Sequence, residues 1–477
     1  MTRKTITVIL LLSVIILTGL MALSEEKELT LEESINIALR ENPSMKKADS
    51  RVKEADRTIS ETRGSMLPQV DVGANYTRTG NISTLNLDKL GIKGNFQDEN
   101  NYKVYASLTQ MLFDYRLITS YELSKLNFLD VTYQYDATKQ DVLYNVNKTY
   151  YNVLLANSNM ALAEETVIQY ETQLERTQKM YKQGSVPKYD VLRVEVDLAS
   201  AQENYITAGN NIDLSKASFN NALGIDLSTP VNIKSLLAYT PWSVDYQKSL
   251  DYAFKNRPEI LQVENWLAIA EEKIQYAKGE RYPSVNLNAY YYSQNDTLVQ
   301  PPNTWNLTVG ASVPIFHGGS INARIEKAEE QLSQMNDEKI LTYQSVELDV
   351  KQSYLNMAEA LKRIDVAEKT VASAEESKRM ADLRYKGGVA NIQEVLDTQT
   401  SLTSAKTNYL QAIYDYEMAK ISLKKAMGML AKTDKTTEVK KDNKATEVKD
   451  DNKATEVKDD NTTIEVKNDN QTTDDKK

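Results

Sequence analysis

Few side chains in this 477-residue chain have the type and spacing that catalysis needs. The sequence contains no cysteine, which excludes disulfides, thiolate metal sites and cysteine nucleophiles. The one histidine, His317, stands beside Gly318 and Gly319, and we interpret it as a junction residue and not as a ligand. We therefore expect no catalytic residue, no cofactor, no metal site and no enzyme activity.

Two acidic residues, Glu394 and Asp397, stand out from the others. They are three positions apart, on one face of a helix, in about the first turn after Gly388. An earlier copy of the same pattern has Asp190 and Arg193 at these positions, and we expect those two charges to compensate each other. The later pair has no such local partner, which favours a functional acidic site. The alternative is a solvated helix face.

The elements that position this pair are long helices with a seven-residue repeat. Over residues 117–224, apolar residues recur every seventh position on both sides of a Gly/Pro break at 183–187. The stripe comprises Val146, Val153, Met160, Val167, Leu174 and Tyr181, then Val191, Leu198, Tyr205, Ile212 and Phe219. A sustained heptad repeat predicts two antiparallel supercoiled helices, the first of them about 100 Å long.

The pattern occurs twice. An offset of 204 residues carries the hairpin onto a second one, in which only Lys378 interrupts the apolar stripe. Upstream, an offset of 215 aligns Ser34, Ala38, Pro43, Ala55, Ile59, Gly64, Pro68 and Tyr76 with Ser249, Ala253, Pro258, Ala270, Ile274, Gly279, Pro283 and Tyr291. The chain is therefore a tandem duplication. We divide it into a first repeat at 25–230, a linker at 231–245 and a second repeat at 246–430.

The two ends lie outside this duplication. Residues 1–24 combine Arg3 and Lys4 with an apolar run, which predicts a secretory signal peptide; an uncleaved anchor helix is the alternative. No later run approaches the roughly 20 apolar residues of a spanning helix. Residues 431–477 carry a charged nine-residue repeat with few apolar residues, so we expect them to be disordered. The net charge of −10 argues against nucleic acid as a partner.

Each repeat also contains two segments in which apolar and polar residues alternate, which predicts strands. They cover 70–76 and 102–108, separated by a polar loop at 80–101, and then 285–291 and 305–313. With their flanking residues we expect each strand to be about 9 to 10 residues long, which is the length of a tilted transmembrane strand. Aromatic residues near the strand ends predict an interfacial girdle of Tyr76, Tyr102, Tyr291 and Trp305. A soluble sheet capping the coiled coils is the alternative.

Four strands cannot close a barrel. An open edge in hydrocarbon leaves backbone groups unsatisfied, at a cost of several kcal/mol each. Three chains would supply twelve strands, which is enough to enclose a passage. The sequence therefore predicts that the folded protein is an oligomer.

In several places the sequence resembles the TolC-type outer-membrane efflux proteins. The resemblance covers about 29–428. It is carried by segment 29–43, by Leu67-Pro68 before a strand, and by Val313-Pro314-Ile315-Phe316 with Gly318-Gly319 before a long helix. It is also carried by the turns from Tyr181 to Gly184 and from Tyr385 to Gly388, with the acids that follow them. It implies a homotrimer in which an outer-membrane β-barrel continues into a periplasmic α-barrel. Such a trimer is the exit duct of a tripartite efflux pump or a type I secretion system.

The resemblance also implies roles for particular residues. The hairpin ends would contact a periplasmic adaptor (membrane fusion) protein through Tyr181, Gly184, Asp190, Tyr385 and Gly388. Glu394 and Asp397 would line a closed periplasmic aperture. Further partners would be an inner-membrane RND or ABC transporter and outer-membrane lipid.

The sequence departs from the family pattern in three places. Met111 stands where the second repeat has Pro314, and residues 114–116 replace the second repeat's 317–319. Ala390 stands where close relatives carry an arginine thought to help lock the closed end. The first sheet-to-helix junction and the locking contacts are therefore expected to differ.

Together these features predict a mainly α chain with a β-barrel portion. Its duplicated coiled-coil hairpins would form a trimeric α-barrel, capped by a 12-stranded transmembrane β-barrel with four strands per chain. The expected function is passive conduction to the exterior, with the helical barrel and the tail in the periplasm. The alternative is a periplasmic structural coiled-coil or adaptor protein without a membrane barrel.

Overall fold

The computed structural model describes residues 29–81, 99–233, 236–295 and 303–430, and the backbone of 84–87 and 92–95. The predicted signal peptide and the charged tail lie outside these residues. The first repeat forms α1 (Leu31–Glu41), α2 (Pro43–Gly64), β1 (Gln69–Arg78), β2 (Thr84–Leu87), β3 (Ile92–Asn95), β4 (Asn100–Phe113), α3 (Tyr115–Lys182) and α4 (Lys188–Leu223). The second forms α5 (Tyr246–Asn256), α6 (Pro258–Gly279), β5 (Ser284–Gln294), β6 (Asn303–Ser312), α7 (Ser320–Lys386) and α8 (Ile392–Ala426).

The first helix begins at a capping box. Thr30 Oγ1 accepts a hydrogen bond from the Glu33 backbone N–H at 3.2 Å, and Glu33 Oε2 accepts one from the Thr30 N–H at 3.1 Å. The helix then ends before Pro43, which opens α2 because its missing N–H fits the first position of a helix. Thr30 therefore caps α1, and Pro43 separates α1 from α2.

The long helices form two hairpins, α3 with α4 and α7 with α8. At 68 residues, α3 is about 100 Å long. The residues of the heptad seam are fully buried in the middle of α3, at Val146 and Val153, and exposed at its end, where Tyr181 is 44% exposed. The hairpins also pack on each other through α3 and α8. No helix among the described residues has the length and apolar character needed to cross a membrane.

One antiparallel sheet joins the repeats in the order β1-β4-β5-β6. Val72 stands opposite Ala106, and Ala106 opposite Tyr291, so the apolar positions share a face. This face is exposed, with Val72 at 77% and Val309 at 63%. Among the described residues the outer edges of β1 and β6 have no partner strand. The loop predicted at 80–101 is not entirely loop, because β2 and β3 pair with each other there.

The short helices α2 and α6 begin where the long helices α4 and α8 end, although the two members of each pair are distant in the sequence. The Asn42 side-chain amide donates a hydrogen bond to the Ala222 carbonyl at 2.8 Å, where α4 ends and α2 begins. Gly224 adopts a φ of 78°, and a Cβ added to it would lie 2.6 Å from the Asn42 Cα. In the second repeat a Cβ on Gly428 would lie 3.0 Å from the Arg257 Cα, where α8 meets α6. Both positions therefore require glycine.

The linker predicted at 231–245 forms no helix in its described residues but is packed against the core. Its buried residues include Val231, Ile233 and Leu237. The Trp242 backbone N–H donates to the Tyr416 hydroxyl of α8 at 2.8 Å, and the Thr240 N–H donates to the Glu417 carboxylate at 3.2 Å. This connection is therefore held in place on α8.

Candidate functional site

Both helical hairpins turn through the same backbone motif. The N–H groups of Gly184 and Ser185 donate to carbonyls of the last turn of α3, both at 2.9 Å. Those of Gly388 and Val389 make the equivalent bonds to α7 at 3.0 Å. Gly184 and Gly388 have φ values of 76° and 71°, the left-handed conformation that this motif needs. No atom lies within 4 Å of a Cβ added to either, so backbone conformation and not crowding requires glycine.

The two tyrosines before these turns have different environments. Tyr181 is 44% exposed, whereas Tyr385 is 2% exposed. Tyr385 packs into a cluster that joins the hairpins, together with Tyr170 of α3 and Val395 of α8. Burial raises the pKa of the Tyr385 phenol, and the nearby Asp190 carboxylate raises it further. In this conformation Tyr181 faces solvent and Tyr385 does not.

The predicted compensation between Asp190 and Arg193 is wrong. The Arg193 guanidinium instead lies 3.7 Å from the carboxylate of Asp197, four residues further along α4. Residues four apart share a helix face, which favours this pair. Asp190 is half-buried, and its burial raises the pKa of its carboxyl group.

Glu394 and Asp397 lie near the start of α8, one turn apart. Glu394 Oε1 is 3.4 Å from the guanidinium of Arg384, so the prediction that both acids lack a local partner is wrong for Glu394. The turn brings the end of α7 back beside the start of α8, a contact that helix spacing alone does not reveal. Asp397 is exposed and accepts a hydrogen bond from the Gln393 amide at 2.6 Å.

Polar side chains join α3 to α8 above these turns. The Gln399 amide donates to Gln169 Oε1, and Lys406 Nζ lies 2.8 Å from the Glu165 carboxylate. Gln399 is buried and polar, whereas the buried residues at the middle of the seam are valines. Water can replace such hydrogen bonds when two helices part, so each of these polar contacts holds the helices together less strongly than an apolar contact of similar size.

The aromatic residues predicted as a girdle lie on the exposed apolar face of the sheet. Tyr76 stands opposite Tyr102, with ring centroids 4.9 Å apart, and Tyr291 stands opposite Trp305. Trp305 is 72% exposed. The two pairs occupy different rows, because Tyr291 faces Ala106 of β4 and not Tyr102.

The opposite face carries a cluster that sequence reasoning missed. Lys103 Nζ lies 4.2 Å from the ring centroid of Tyr292, and the rings of Tyr105 and Tyr290 stack with centroids 5.6 Å apart. The alternation of the strands placed these residues on the polar face, but only the strand register brings them together.

None of these groups forms a nucleophile with an adjacent base. Among the described residues no group of three or more acids and histidines could hold a metal ion. The arrangement instead offers surfaces: an apolar sheet face, two glycine turns and a pair of acids. Such surfaces suit membrane insertion, docking and the attraction of cations.

Comparison with known proteins identifies relatives along most of the chain. The family model described as "Outer membrane efflux protein" matches residues 34–225 and 250–429, more than half of the chain. "Outer membrane protein TolC" of Escherichia coli (strain K12) is 26% identical over 437 residues, covering 88% of this chain and 85% of that protein. "Alkaline protease secretion protein AprF" of Pseudomonas aeruginosa is 23% identical over 429 residues, covering 85% of this chain and 86% of that protein. The fold is similar to the crystal structure of the Campylobacter jejuni CmeC outer membrane channel, with a TM-score of 0.71 at 19% identity over 86% of this chain and 90% of that one.

Proposed function

The chain belongs to the outer membrane efflux protein family, and from this premise we propose that three copies form a passive exit duct across the outer membrane. The sheet is the part in the membrane, and the helical hairpins extend into the periplasm. Substrates reach the duct from an inner-membrane RND or ABC transporter through a periplasmic adaptor protein. The duct serves a tripartite efflux pump or a type I secretion system.

The observation that carries this function is the four-stranded sheet. Its apolar face is exposed, with Val72 at 77% and Val309 at 63%, and water is a poor solvent for such a surface. Lipid is a good solvent for the face but not for the open edges of β1 and β6, whose backbone groups need partners. Two further copies of the chain supply those partners and close the barrel.

The hairpin turns are the proposed adaptor contacts. Exposed Tyr181, half-buried Asp190 and the uncrowded glycines Gly184 and Gly388 form the surface that an adaptor helix would meet. Tyr385 supports this surface from inside, where it holds the second hairpin against the first.

The acids at the start of α8 are the proposed aperture. Around a threefold axis, Glu394 and Asp397 of each copy form two rings of carboxylates, and such rings attract cations. Arg384 adds a positive charge beside each Glu394, so Asp397 carries the larger share of the net field.

Tryptophan quenching tests whether the sheet lies in lipid. The chain has three tryptophans, and only Trp305 lies on the apolar sheet face. Trp242 lies in the linker, and Trp266 Nε1 donates to Asp130 at 2.7 Å between helices. In vesicles of lipid brominated near the headgroup, we expect part of the fluorescence to be quenched. Trp305→Phe should abolish the quenching, and the matched control Trp266→Phe should retain it. Unquenched Trp305 would favour the periplasmic coiled-coil alternative.

Native mass measurement in detergent tests the assembly. We expect a trimer, because one chain leaves two strand edges open. A stable folded monomer would overturn the proposal of a barrel closed by three copies.

A further inference from the structure

The polar face of the sheet carries two charged side chains among the described residues of its four strands, Lys103 and Asp71. Asp71 stands opposite Ser107, which is four positions along β4 from Lys103, so the two charged residues are about 13 Å apart along the strand. Within the described part of the chain Lys103 contacts aromatic rings and no carboxylate. Its ammonium group therefore has no acidic partner among these residues.

The rings around Lys103 come from two strands and are fixed by a third. Lys103 Nζ lies 4.2 Å from the ring centroid of Tyr292 and 5.1 Å from that of Tyr290. Tyr105 stacks on Tyr290 with an angle of 25° between the ring planes. A Cβ added to Gly73 would lie 2.5 Å from the Cζ of Tyr105, so this ring lies across β1 in the space that the glycine leaves. The cluster is therefore an ordered aromatic surface beside one ammonium group.

The duplication shows that the sheet does not need this cluster. An offset of 215 residues carries β1 onto β5, and an offset of 203 carries β4 onto β6, and the ladder of the first hairpin then matches that of the second. The positions equivalent to the lysine and the three tyrosines carry small polar residues: Asn306, Thr308, Asn75 and Thr77. Both hairpins form the same antiparallel ladder. The cluster therefore has a purpose other than strand pairing.

In the proposed trimer the apolar face meets lipid, so the polar face lines the passage. The long helices join the strands at one end of the sheet, and Lys103 lies near the other end, where β4 begins at Asn100. With the helices in the periplasm, this second end opens to the exterior. Twelve strands about 4.8 Å apart and tilted by about 40° enclose a passage about 24 Å wide between backbones. Three copies of the cluster therefore face the passage close to its outer opening.

We propose that Lys103, Tyr290 and Tyr292 form a binding site for planar aromatic anions, such as aryl sulfonates and aryl carboxylates, as they leave the duct. The ammonium group supplies the charge that a sulfonate or carboxylate needs, and the rings supply a surface for stacking. This inference rests on the proposed function and names a substrate class for the duct.

The hydroxyl groups and the lysine decide the sign of the ligand charge. Within the described residues the phenol hydroxyls of Tyr105, Tyr290 and Tyr292 have no hydrogen-bond partner, so they can donate to the oxygens of an anion. A cationic ligand would have to displace Lys103 from the rings and would be repelled by its charge. An aromatic anion meets neither obstacle.

Fluorescence anisotropy of pyrene tetrasulfonate, a planar aromatic anion, tests this site. The wild-type trimer in phosphatidylcholine nanodiscs should raise the anisotropy of the probe, and empty nanodiscs should not. Lys103→Met removes the ammonium group and should weaken binding at least about tenfold. Tyr290→Leu removes one ring and should weaken binding about two- to tenfold. The matched control Tyr291→Leu changes the neighbouring tyrosine, which lies on the lipid face, and should leave binding unchanged.

A double variant separates the site from the overall charge of the passage. Lys103→Thr/Thr77→Lys keeps one lysine on the polar face at the same end of the sheet, but places it on β1, two strands from the tyrosines of β5. We expect it to bind the probe about as weakly as Lys103→Met does. Wild-type affinity in this variant would show that positive charge alone attracts the probe, and would overturn the proposed site.

Competition tests the need for an aromatic ring. Naphthalene disulfonate should displace the probe, whereas sulfate at the same concentration and ionic strength should displace far less of it. Equal displacement by sulfate would overturn the aromatic part of the proposal.

Native mass measurement of every protein used separates this inference from the proposed function. A wild-type trimer that does not bind the probe would overturn the site and leave the duct in place, whereas a monomeric wild-type protein would remove the proposed function. Should Lys103→Met fail to form a trimer, Tyr290→Leu and the double variant decide the test.

Discussion

The Tyr151 hydroxyl of α3 donates a hydrogen bond to the Glu417 carboxylate of α8 at 3.2 Å. Glu417 is 2% exposed, accepts a second hydrogen bond from the Thr240 N–H of the linker at 3.2 Å, and lies 2.6 Å from Lys420 Nζ. Burial raises the pKa of the Tyr151 phenol, and the charge of Glu417 raises it further. One buried carboxylate therefore joins both hairpins and the segment between the repeats.

Removal of this carboxylate should destabilise the helical part strongly. Glu417→Ala leaves the Tyr151 hydroxyl and a linker N–H without their acceptor, and it leaves the Lys420 ammonium with only the Thr240 carbonyl at 3.3 Å, which should cost about 3 to 5 kcal/mol in unfolding free energy. Glu417→Gln keeps an acceptor oxygen and should cost less. The control Asp365→Ala breaks an exposed pair with Lys369, 2.7 Å apart, and should cost less than about 1 kcal/mol. Urea unfolding followed by circular dichroism measures the difference, and equal midpoints for Glu417→Ala and wild type would contradict it.

Asp190 should make stability depend on pH. Because its pKa is raised by burial, the folded chain favours the neutral carboxyl group, and this contribution is lost as the pH rises through the folded pKa. At neutral pH the charged carboxylate then opposes folding, so Asp190→Asn should raise the thermal midpoint at pH 7. Well below the ordinary aspartate pKa of about 3.9 the carboxyl group is neutral in both the folded and the unfolded chain, and the difference between the variant and wild type should vanish.

The substitution Asp197→Asn is the matched control, and we expect it to change the thermal midpoint at pH 7 in the opposite direction. Asp197 pairs with Arg193 at 3.7 Å, so Asp197→Asn should lower the midpoint at pH 7. Scanning calorimetry at pH 7 and in acid compares the two variants. A lower midpoint for Asp190→Asn at pH 7 would contradict the role given to its burial.

Cation block of the purified channel should respond in opposite directions to two changes at the proposed aperture. Glu394→Ala/Asp397→Ala removes the acids and should weaken block by multivalent cations and the preference for cations. Arg384→Ala removes the charge that lies 3.4 Å from Glu394 and should strengthen the block. An exposed ion pair is worth about 0.2 to 1 kcal/mol, which corresponds to a change of up to about fivefold.

Planar-bilayer recordings with the cation added on the periplasmic side measure this block. Arg379→Ala removes an arginine whose partner is Glu376, at 2.6 Å, and serves as the control for lost positive charge. If the double acid variant keeps wild-type block and selectivity, these acids are only a solvated helix face.

Adjacent glycines at the second turn should respond differently to alanine. Gly388 has a φ of 71°, so Gly388→Ala should cost about 1 to 2 kcal/mol. Gly387 has a φ of −80°, and the nearest atom to an added Cβ is 3.4 Å away, so Gly387→Ala should be neutral or slightly stabilising. Thermal melts compare the two variants, and equal effects would show that backbone conformation does not explain the glycine at 388.

Much of the helical part could be predicted because the heptad periodicity agrees there with the residues that start and stop helices. Thr30 with Glu33, Pro43 and the turn glycines are local signals, and each acts where the sequence places it. The strand pairs followed from alternation alone. The β2–β3 hairpin did not, because its strands are only four residues long.

The details of the candidate site could not be predicted, because they depend on contacts between elements. Tyr181 and Tyr385 are equivalent in sequence, yet only Tyr385 packs against neighbouring helices on several sides. Arg384 reaches Glu394 across a turn, beyond the reach of any rule about spacing within one helix. Arg193 had two acids in range and pairs with the one four residues away.

The hydrogen bond between Asn42 and Ala222 joins residues 180 positions apart, and this affects how the chain folds. The helix α2 is synthesised long before α4, whose end it must meet. Closing so long a loop costs entropy before its contacts form, so such a junction forms late and slowly. Until it forms, the apolar side of α2 is open to aggregation, and the yield of folded chains depends on how well that side is protected before α2 meets α4.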